Sequence, residues 1–395
     1  ITSTGQSSSP AWHQNLPQKS DLAGLTRVQV IKLCVQAKGL SAASAAAVSE
    51  KNRPSSDSCY EVYWTKYVSW CERNSVHPLF PTLANLADYF LSYTISKDIM
   101  PVTLDNVKAC ILLTIKVCTN VDFTQNYELA AICTKYHREC PPEVFKVPDW
   151  NLVLVLEVLS KPPFEPLHEV SLKMLTLKCC FLISLALSCR VSELHALAFD
   201  KISHSPNWSR VYLEPKSDFL AKNQTSHSDK QSRAFILKSL VPPPNKTQFS
   251  PGSFEEKMYH KHKLLCPVRA LRLYLHKTAL LRANKAALFI SMNPNHPNDI
   301  TKQSICNWVR RTIKLCYALA GKDDRTVGRA TVHECRAITS SVKFERNLSL
   351  DSLLKSCTWK HGNVFTKHYL RNVAVLSQDL YRLPPVYLSQ CKLNT

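Results

Sequence analysis

The chain has 395 residues and a mass of 44.7 kDa, more than one ordinary core needs, so two or three domains are expected and a disulfide-stapled miniprotein is excluded. Seven Gly against 23 Pro, with 45% hydrophobic residues, exclude collagen-like and wholly disordered chains and leave little material for a glycine-rich phosphate cradle. The formal charge of +20 is one-sided: residues 1–145 carry 13 basic and 12 acidic side chains, net +1, whereas residues 146–395 carry 37 and 18, net +19. Such an excess favours a polyanionic partner, nucleic acid or an anionic membrane surface, over a merely solubilising basic surface.

Residues 1–20, rich in Ser, Gln and Pro, read as a flexible leader, and the start at Ile1 as a fragment of something longer. An apolar-periodic segment from Leu25 to Val35 predicts a first helix ending near Gly39, and an Ala/Ser-rich helix follows before Pro54. Tyr60, Tyr63, Trp64, Tyr67, Val68 and Cys71 then recur at helical spacing, one face of a long amphipathic helix opened by Ser55, Ser56 or Asp57. That aromatic stripe reads as core rather than as a base-stacking platform, because it lies on a single face. Helices over 83–94, 103–117 and 126–136 complete an all-helical domain over residues 21–140. Three prolines in the nine residues Cys140 to Pro148 predict a linker, assigned to 141–148.

The second domain, 149–395, opens with helices over 150–159 and 170–188 and another from about Val191. The longest apolar stretch, Leu177 to Cys189, is interrupted by Lys178 and falls short of the roughly 18 residues that span a membrane, so it reads as a buried helix. Ser209 to Leu213 and Arg233 to Leu237 are short strand candidates flanking a polar loop. Helices resume over 267–281, 302–319, 333–344, 351–357 and 366–376. The expected fold class is mostly α, with a small antiparallel sheet inside the second domain.

Sixteen cysteines are scattered through apolar helical patterns without a signal peptide, which reads as a reduced intracellular protein with buried thiols. His137 with Cys140, and His260, His262 and Cys266, are the best metal candidates, but no CxxC pair or second matched ligand set accompanies them. The sequence carries no GxxxxGK[ST], HExxH, GxSxG or GxGxxG, so nucleotide hydrolysis, zinc proteolysis, serine hydrolysis and dinucleotide binding have no support.

Three clusters in the basic half remain. Ser188-Cys189-Arg190-Val191-Ser192-Glu193-Leu194 puts an arginine at the end of the most apolar helix, where it could equally serve as a C-terminal cap. Thr331-Val332-His333-Glu334-Cys335-Arg336 places His333 and Arg336 three apart, on one helix face and able to address one oxyanion. The third runs from Trp359-Lys360-His361-Gly362 to Lys367-His368-Tyr369-Leu370-Arg371, an indole or imidazole donor about ten residues ahead of a tyrosine.

An Arg in SCRVSEL, a Lys near a hairpin, HxxR, WxH and a terminal Tyr within a helix, in that order, resemble the active site of the tyrosine recombinase (phage-integrase-like) family. Val332 through Leu370, with Gly39-Leu40-Ser41, Tyr60, Trp64, Trp70 and Cys71, are most similar to the recombinases of DIRS-like and Ngaro-like retroelements, and the resemblance covers roughly residues 25–380. It implies a helical core-binding domain and a catalytic domain that clamp double-stranded DNA between them. It also implies DNA cleavage and rejoining through a 3′-phosphotyrosine, for integration of a mobile element in the nucleus, by a homo-oligomer that is tetrameric on DNA, with no cofactor, metal or membrane involved. The tail beyond Tyr369 then packs on a neighbouring protomer, or else folds on its own domain.

By this resemblance Arg190 and Arg336 grip the nonbridging phosphate oxygens, where planar bidentate guanidiniums neutralise the charge that builds in the transition state. Tyr369 is the nucleophile; a free phenol ionises near pH 10 and needs a proton acceptor, a role that falls to His333. The proton for the leaving 5′-oxygen comes from a hairpin lysine, Lys222 or Lys216. The remaining phosphate donor is Trp359 or His361. The reading requires Arg190, His333, Arg336 and Tyr369 to converge on one basic concavity facing the helical domain. Two rivals stand beside it: a catalytically inactive, domesticated DNA-binding protein, and a type IB topoisomerase-like relaxing enzyme.

Overall fold

The computed structural model describes residues 12, 15–18, 22, 24–95, 99–141, 150–222, 234–241, 249–282, 285–293, 300–323, 327, 331–345, 348–357, 361–371 and 390–391. The chain divides into two compact units, residues 1–144 and 145–395. Most of the expected leader and all but the first residue of the expected linker lie outside the described residues.

The first unit is helical throughout its described residues: α1 (Arg27–Ala37), α2 (Ala42–Ser49), α3 (Pro54–Arg73), α4 (Leu83–Ile95), α5 (Pro101–Thr119) and α6 (Tyr127–Glu139). Thr26 opens α1 by accepting from the Gln29 amide, and Ser41 opens α2 in the same way. The α3 start differs from the expected Ser or Asp cap. Pro54 occupies the first helical position, where its missing N–H costs nothing, and Arg53 precedes it without a side-chain cap. Asp57 is thereby left in the first turn, 3.4 Å from the buried Arg27 guanidinium.

The apolar face of α3 is core. Trp64, Tyr67 and Cys71 are buried against Leu86, Tyr89 and Phe90 of α4 and Leu104, Val107 and Ile111 of α5, with Tyr67 meeting Tyr89 edge-on at 5.0 Å between ring centres.

The second unit contains α7 (Leu152–Leu159), α8 (Leu172–Leu187), α9 (Val191–Ala196), strands β1 (Leu197–His204), β2 (Arg210–Pro215) and β3 (Phe235–Lys238), then α10 (Phe254–Leu264), α11 (Pro267–Thr278), α12 (Lys302–Leu319), α13 (Val332–Glu345), α14 (Leu350–Cys357), α15 (Gly362–His368) and β4 (Gln390–Cys391). The strands form one antiparallel sheet in the order β1-β2-β3-β4. The class is mostly α with a small antiparallel sheet. β4 brings the end of the chain back to its own sheet, with Phe235 opposite Cys391.

α8 is the axis of this unit. Every residue from Leu175 to Leu187 is buried, and α11, α12 and α13 pack around it, which is why its sequence is apolar on all sides. No helix among the described residues is long and apolar enough to cross a membrane. Lys178, within α8, sits at 1% exposure with its Nζ 2.5 Å from Glu165 Oε1, and Arg269 of α11 grips the same carboxylate through two nitrogens at 2.8 and 3.1 Å. Burial disfavours the Lys178 ammonium and lowers its pKa to about 8, against the pull of Glu165.

Among the described residues, β1, α10 and the two-residue β4 escape the sequence reading. β1 follows α9 without a break and its buried positions do not alternate; α10 buries none of its residues, so no apolar period marks it. The last helix is shifted. α15 ends at His368, and Tyr369 is its cap residue rather than a position inside a helix over 366–376. The Tyr369 amide closes the last turn on the Phe365 carbonyl at 2.8 Å, while Ser341 of α13 donates to the Tyr369 carbonyl and accepts from the Arg371 amide, turning the backbone out of the helix.

Removing one member of a buried charge network strands the others, so Glu165→Gln is expected to destabilise the second unit by about 3 kcal/mol. Lys178→Met leaves the Glu165–Arg269 pair intact and costs less; denaturant unfolding of both variants checks the order.

Candidate active site

Arg190 is placed by a turn. α8 ends at Ser188, which takes the left-handed conformation (φ 51°), and Arg190 is extended as the cap residue of α9. One turn into α9, the buried Glu193 carboxylate accepts from the Arg190 backbone amide at 2.7 Å and from its Nη1 at 3.1 Å.

α13 supplies the second arm. Thr331 Oγ1 accepts from the Glu334 amide and starts the helix, and α13 then buries ten of its residues, Arg336 among them at 1% exposure. Arg336 donates through Nη2 to the Cys357 carbonyl and lies with Nη1 3.7 Å from Glu193 Oε2. One carboxylate therefore sits between two guanidiniums that come from elements more than a hundred residues apart. Lys343, further along α13, reaches Ser188 Oγ at 3.2 Å and ties this helix to the end of α8.

His333 shares a face with Arg336 and keeps an open edge. Its pKa is pushed below the ordinary imidazole value, first by the surrounding protein mass and then by the positive charges of Arg336, Arg190 and Lys222. Lys222 is exposed beside the buried Ala221, and its charge is felt at His333. The Lys216 amide donates to the Ala196 carbonyl at 2.8 Å in the turn after β2. The Tyr369 ring lies under the Arg336 guanidinium, 5.4 Å from Cζ to the ring centre.

Arg190, Lys222, His333, Arg336 and Tyr369 are thus brought together. His361 stands at the cap position of α15, exposed and extended; Trp359 lies outside the described residues. Glu193, Glu334, Ser341 and Arg371 were within or beside the sequence clusters without an assigned role. Glu193, three residues after Arg190, had a local signal in its capping spacing. The bidentate contact of Arg371 with Glu334, at 3.0 and 3.1 Å, spans 37 positions and had none.

Chemically, the cluster offers two guanidiniums held by Glu193, an exposed ammonium and an imidazole biased toward its neutral form, next to a phenol. That is a site for an oxyanion with a nucleophile at hand. Among the described residues no group of three or more His, Cys, Asp and Glu side chains could hold a metal ion; His137 instead contacts Asp105 at 2.8 Å. A cavity of about 680 Å³ opens elsewhere in the second unit, lined by Trp208, Tyr259, Arg269 and Arg272 among others. None of the site residues line it.

No family model matches the chain, and no curated protein matches it. Among solved structures, it is similar to the XerH site-specific recombinase bound to its difH substrate in a pre-cleavage complex, at 13% identity over 91% of this chain and 86% of that one, with a TM-score of 0.47. XerH on a palindromic difH substrate in a post-cleavage complex gives 13% identity, 90% and 84% coverage and a TM-score of 0.49. XerA recombinase gives 13%, 85% and 94%, and 0.35. The reading of the site rests on its own geometry.

The direction of the His333 shift has a sign that can be checked. The unfolded imidazole titrates near 6.5 and the folded one below that, so between the two values the unfolded chain binds the extra proton and stability falls as the pH drops from 6.5. An NMR titration is expected to place the His333 midpoint below 6.5, and Lys222→Ala to raise it.

Proposed function

We propose that this protein breaks and rejoins double-stranded DNA through a covalent phosphotyrosine on Tyr369. The observation that carries the reading is the Glu193 carboxylate shared by the Arg190 and Arg336 guanidiniums, with the Tyr369 ring 5.4 Å from Arg336 and the charges of Arg336, Arg190 and Lys222 felt at His333. The net charge of +19 over residues 146–395 suits a phosphate polymer, and much of the affinity then comes from counterion release.

In this reading Arg190 and Arg336 hold the two nonbridging oxygens of one phosphodiester, with Glu193 fixing the spacing of the guanidiniums. The Tyr369 oxygen attacks phosphorus, the bond from phosphorus to the 5′-oxygen breaks, and the phosphoryl group stays on the 3′-strand as a 3′-phosphotyrosine. The phenolic proton passes to His333, whose lowered pKa leaves it neutral and able to accept near pH 7. Lys222 gives its proton to the departing 5′-oxygen, so the cleaved end is a hydroxyl. Reversal with a 5′-hydroxyl from another strand restores a phosphodiester, and the covalent bond conserves the energy of the one broken. Through its resemblance to the recombinases of DIRS-like retroelements, the protein is assigned to integration of such an element, in the nucleus, as a tetramer on DNA, with residues 21–140 as a core-binding domain.

The test mixes wild-type protein and Tyr369→Phe with nicked duplexes spanning the element's terminal junction and looks for a denaturation-resistant adduct, mapped to its residue. An adduct on Tyr369 that the Phe variant loses is the expected result. Binding by both proteins without an adduct on any junction would overturn the reading in favour of a noncatalytic DNA-binding protein. Relaxation of supercoiled DNA without exchange between two duplexes would move it to a type IB topoisomerase.

The remaining donor is decided by paired variants. If Trp359 fills the role, Trp359→Phe slows adduct formation by about a hundredfold, the scale of losing one donor to a developing oxyanion, and His361→Ala leaves it near wild type; the reverse pattern assigns His361.

A further inference from the structure

We propose that the ion pair between Glu334 and Arg371 is the latch that docks the Tyr369 segment over the arginine pair, an inference that rests on Tyr369 being the nucleophile. The helices that deliver the tyrosine do not share the main core of the second unit. Leu353 and Cys357 of α14 and Phe365 of α15 form a separate small cluster, with Tyr369 and Leu370 against it. A module with so little apolar area of its own depends on its ties to α13 for position.

Those ties have different strengths. Phe365 meets Phe344 at 5.3 Å between ring centres, and Ser341 holds the backbone at Tyr369 and Arg371. The charged tie is the fork of Arg371, Nε to Glu334 Oε1 at 3.0 Å and Nη2 to Oε2 at 3.1 Å, with both side chains mostly buried at 15% and 13% exposure. A bidentate guanidinium–carboxylate pair fixes direction as well as distance. Glu334 is next to His333 in the first turn of α13, and Arg371 is two residues past Tyr369. Closing the pair therefore draws the end of the segment that carries Tyr369 against α13 and sets the ring beneath Arg336. Arg371 Nη1 also donates to the His368 carbonyl at 3.1 Å, so the same side chain caps the end of α15.

Opening the pair removes the charged tie and leaves the Tyr369 segment held by Ser341 and the Phe344–Phe365 contact. Glu334 and Arg371 are positioning residues in this scheme, since neither needs to touch the DNA.

The experiment uses the full chain and two readouts. Hydrogen exchange over residues 362–371 is compared for wild type, Arg371→Gln, Glu334→Gln and the charge-exchanged double variant Glu334→Arg with Arg371→Glu. Single-turnover adduct formation is then followed on the nicked junction duplex at saturating protein, with DNA affinity measured separately. Each single variant is expected to raise exchange in that segment but not in α8, and to slow adduct formation by about tenfold, or 1.4 kcal/mol, at unchanged DNA affinity. The double variant restores both. Unchanged exchange in the single variants overturns the latch, as does faster exchange with an unaltered adduct rate or a double variant no better than the singles. A wild-type protein that forms no adduct contradicts the functional reading instead, and exchange alone then decides whether the pair docks this segment.

Discussion

Two guanidiniums repel, and holding them close together before any anion arrives requires a counter-charge beside them. In this protein the counter-charge is the Glu193 carboxylate, 3.1 Å from Arg190 Nη1 and 3.7 Å from Arg336 Nη1. It is buried at 2% exposure, where an unpaired carboxylate would be unfavourable by several kcal/mol, so carboxylate and arginines hold one another in place. Much of the second unit serves that arrangement. The wholly buried α8 carries Arg190 at its end, α13 presents Arg336 from the other side, and Lys343 ties the two helices through Ser188.

A division of labour follows from burial. Arg336 is enclosed and anchored to the Cys357 carbonyl; Arg190 is more open, with 11% of its side chain exposed; His333 and Lys222 face solvent. On the proposed chemistry, the groups that hold charge are the more enclosed ones, and those that exchange protons lie at the edge, within reach of water. The tyrosine belongs to neither group, because it rides on a small cluster of its own.

Most of this organisation was legible in the sequence, for identifiable reasons. The helices with a clean apolar period, such as α3 around Trp64 and Tyr67 and α12, appear where that period places them. Arg190, His333 and Arg336 stood out as clusters through local spacing, at a helix start or three apart on one face, but their roles came only from the order of the motifs and the family resemblance that order carries. What the sequence hid was either without periodicity or set by tertiary contact. α10 buries nothing, β1 does not alternate, and the end of α15 is decided by Ser341, which lies on a different helix. Lys216 and Lys222 both follow β2, so spacing did not separate them. The bridging by Glu193 was half visible: its contact with Arg190 is local, its contact with Arg336 is not.

The central claim is that Arg190 and Arg336 act by neutralising the charge on one phosphodiester. The most direct measurement replaces a nonbridging oxygen of the scissile phosphate with a methyl group, which removes that charge, and compares adduct formation by wild type and Arg190→Ala on both duplexes. The account predicts that Arg190→Ala is severely impaired on the ordinary phosphate and recovers most of the loss on the methyl-substituted one. An Arg190→Ala protein equally impaired on both would contradict it, because the guanidinium would then be needed for something other than the phosphate's charge.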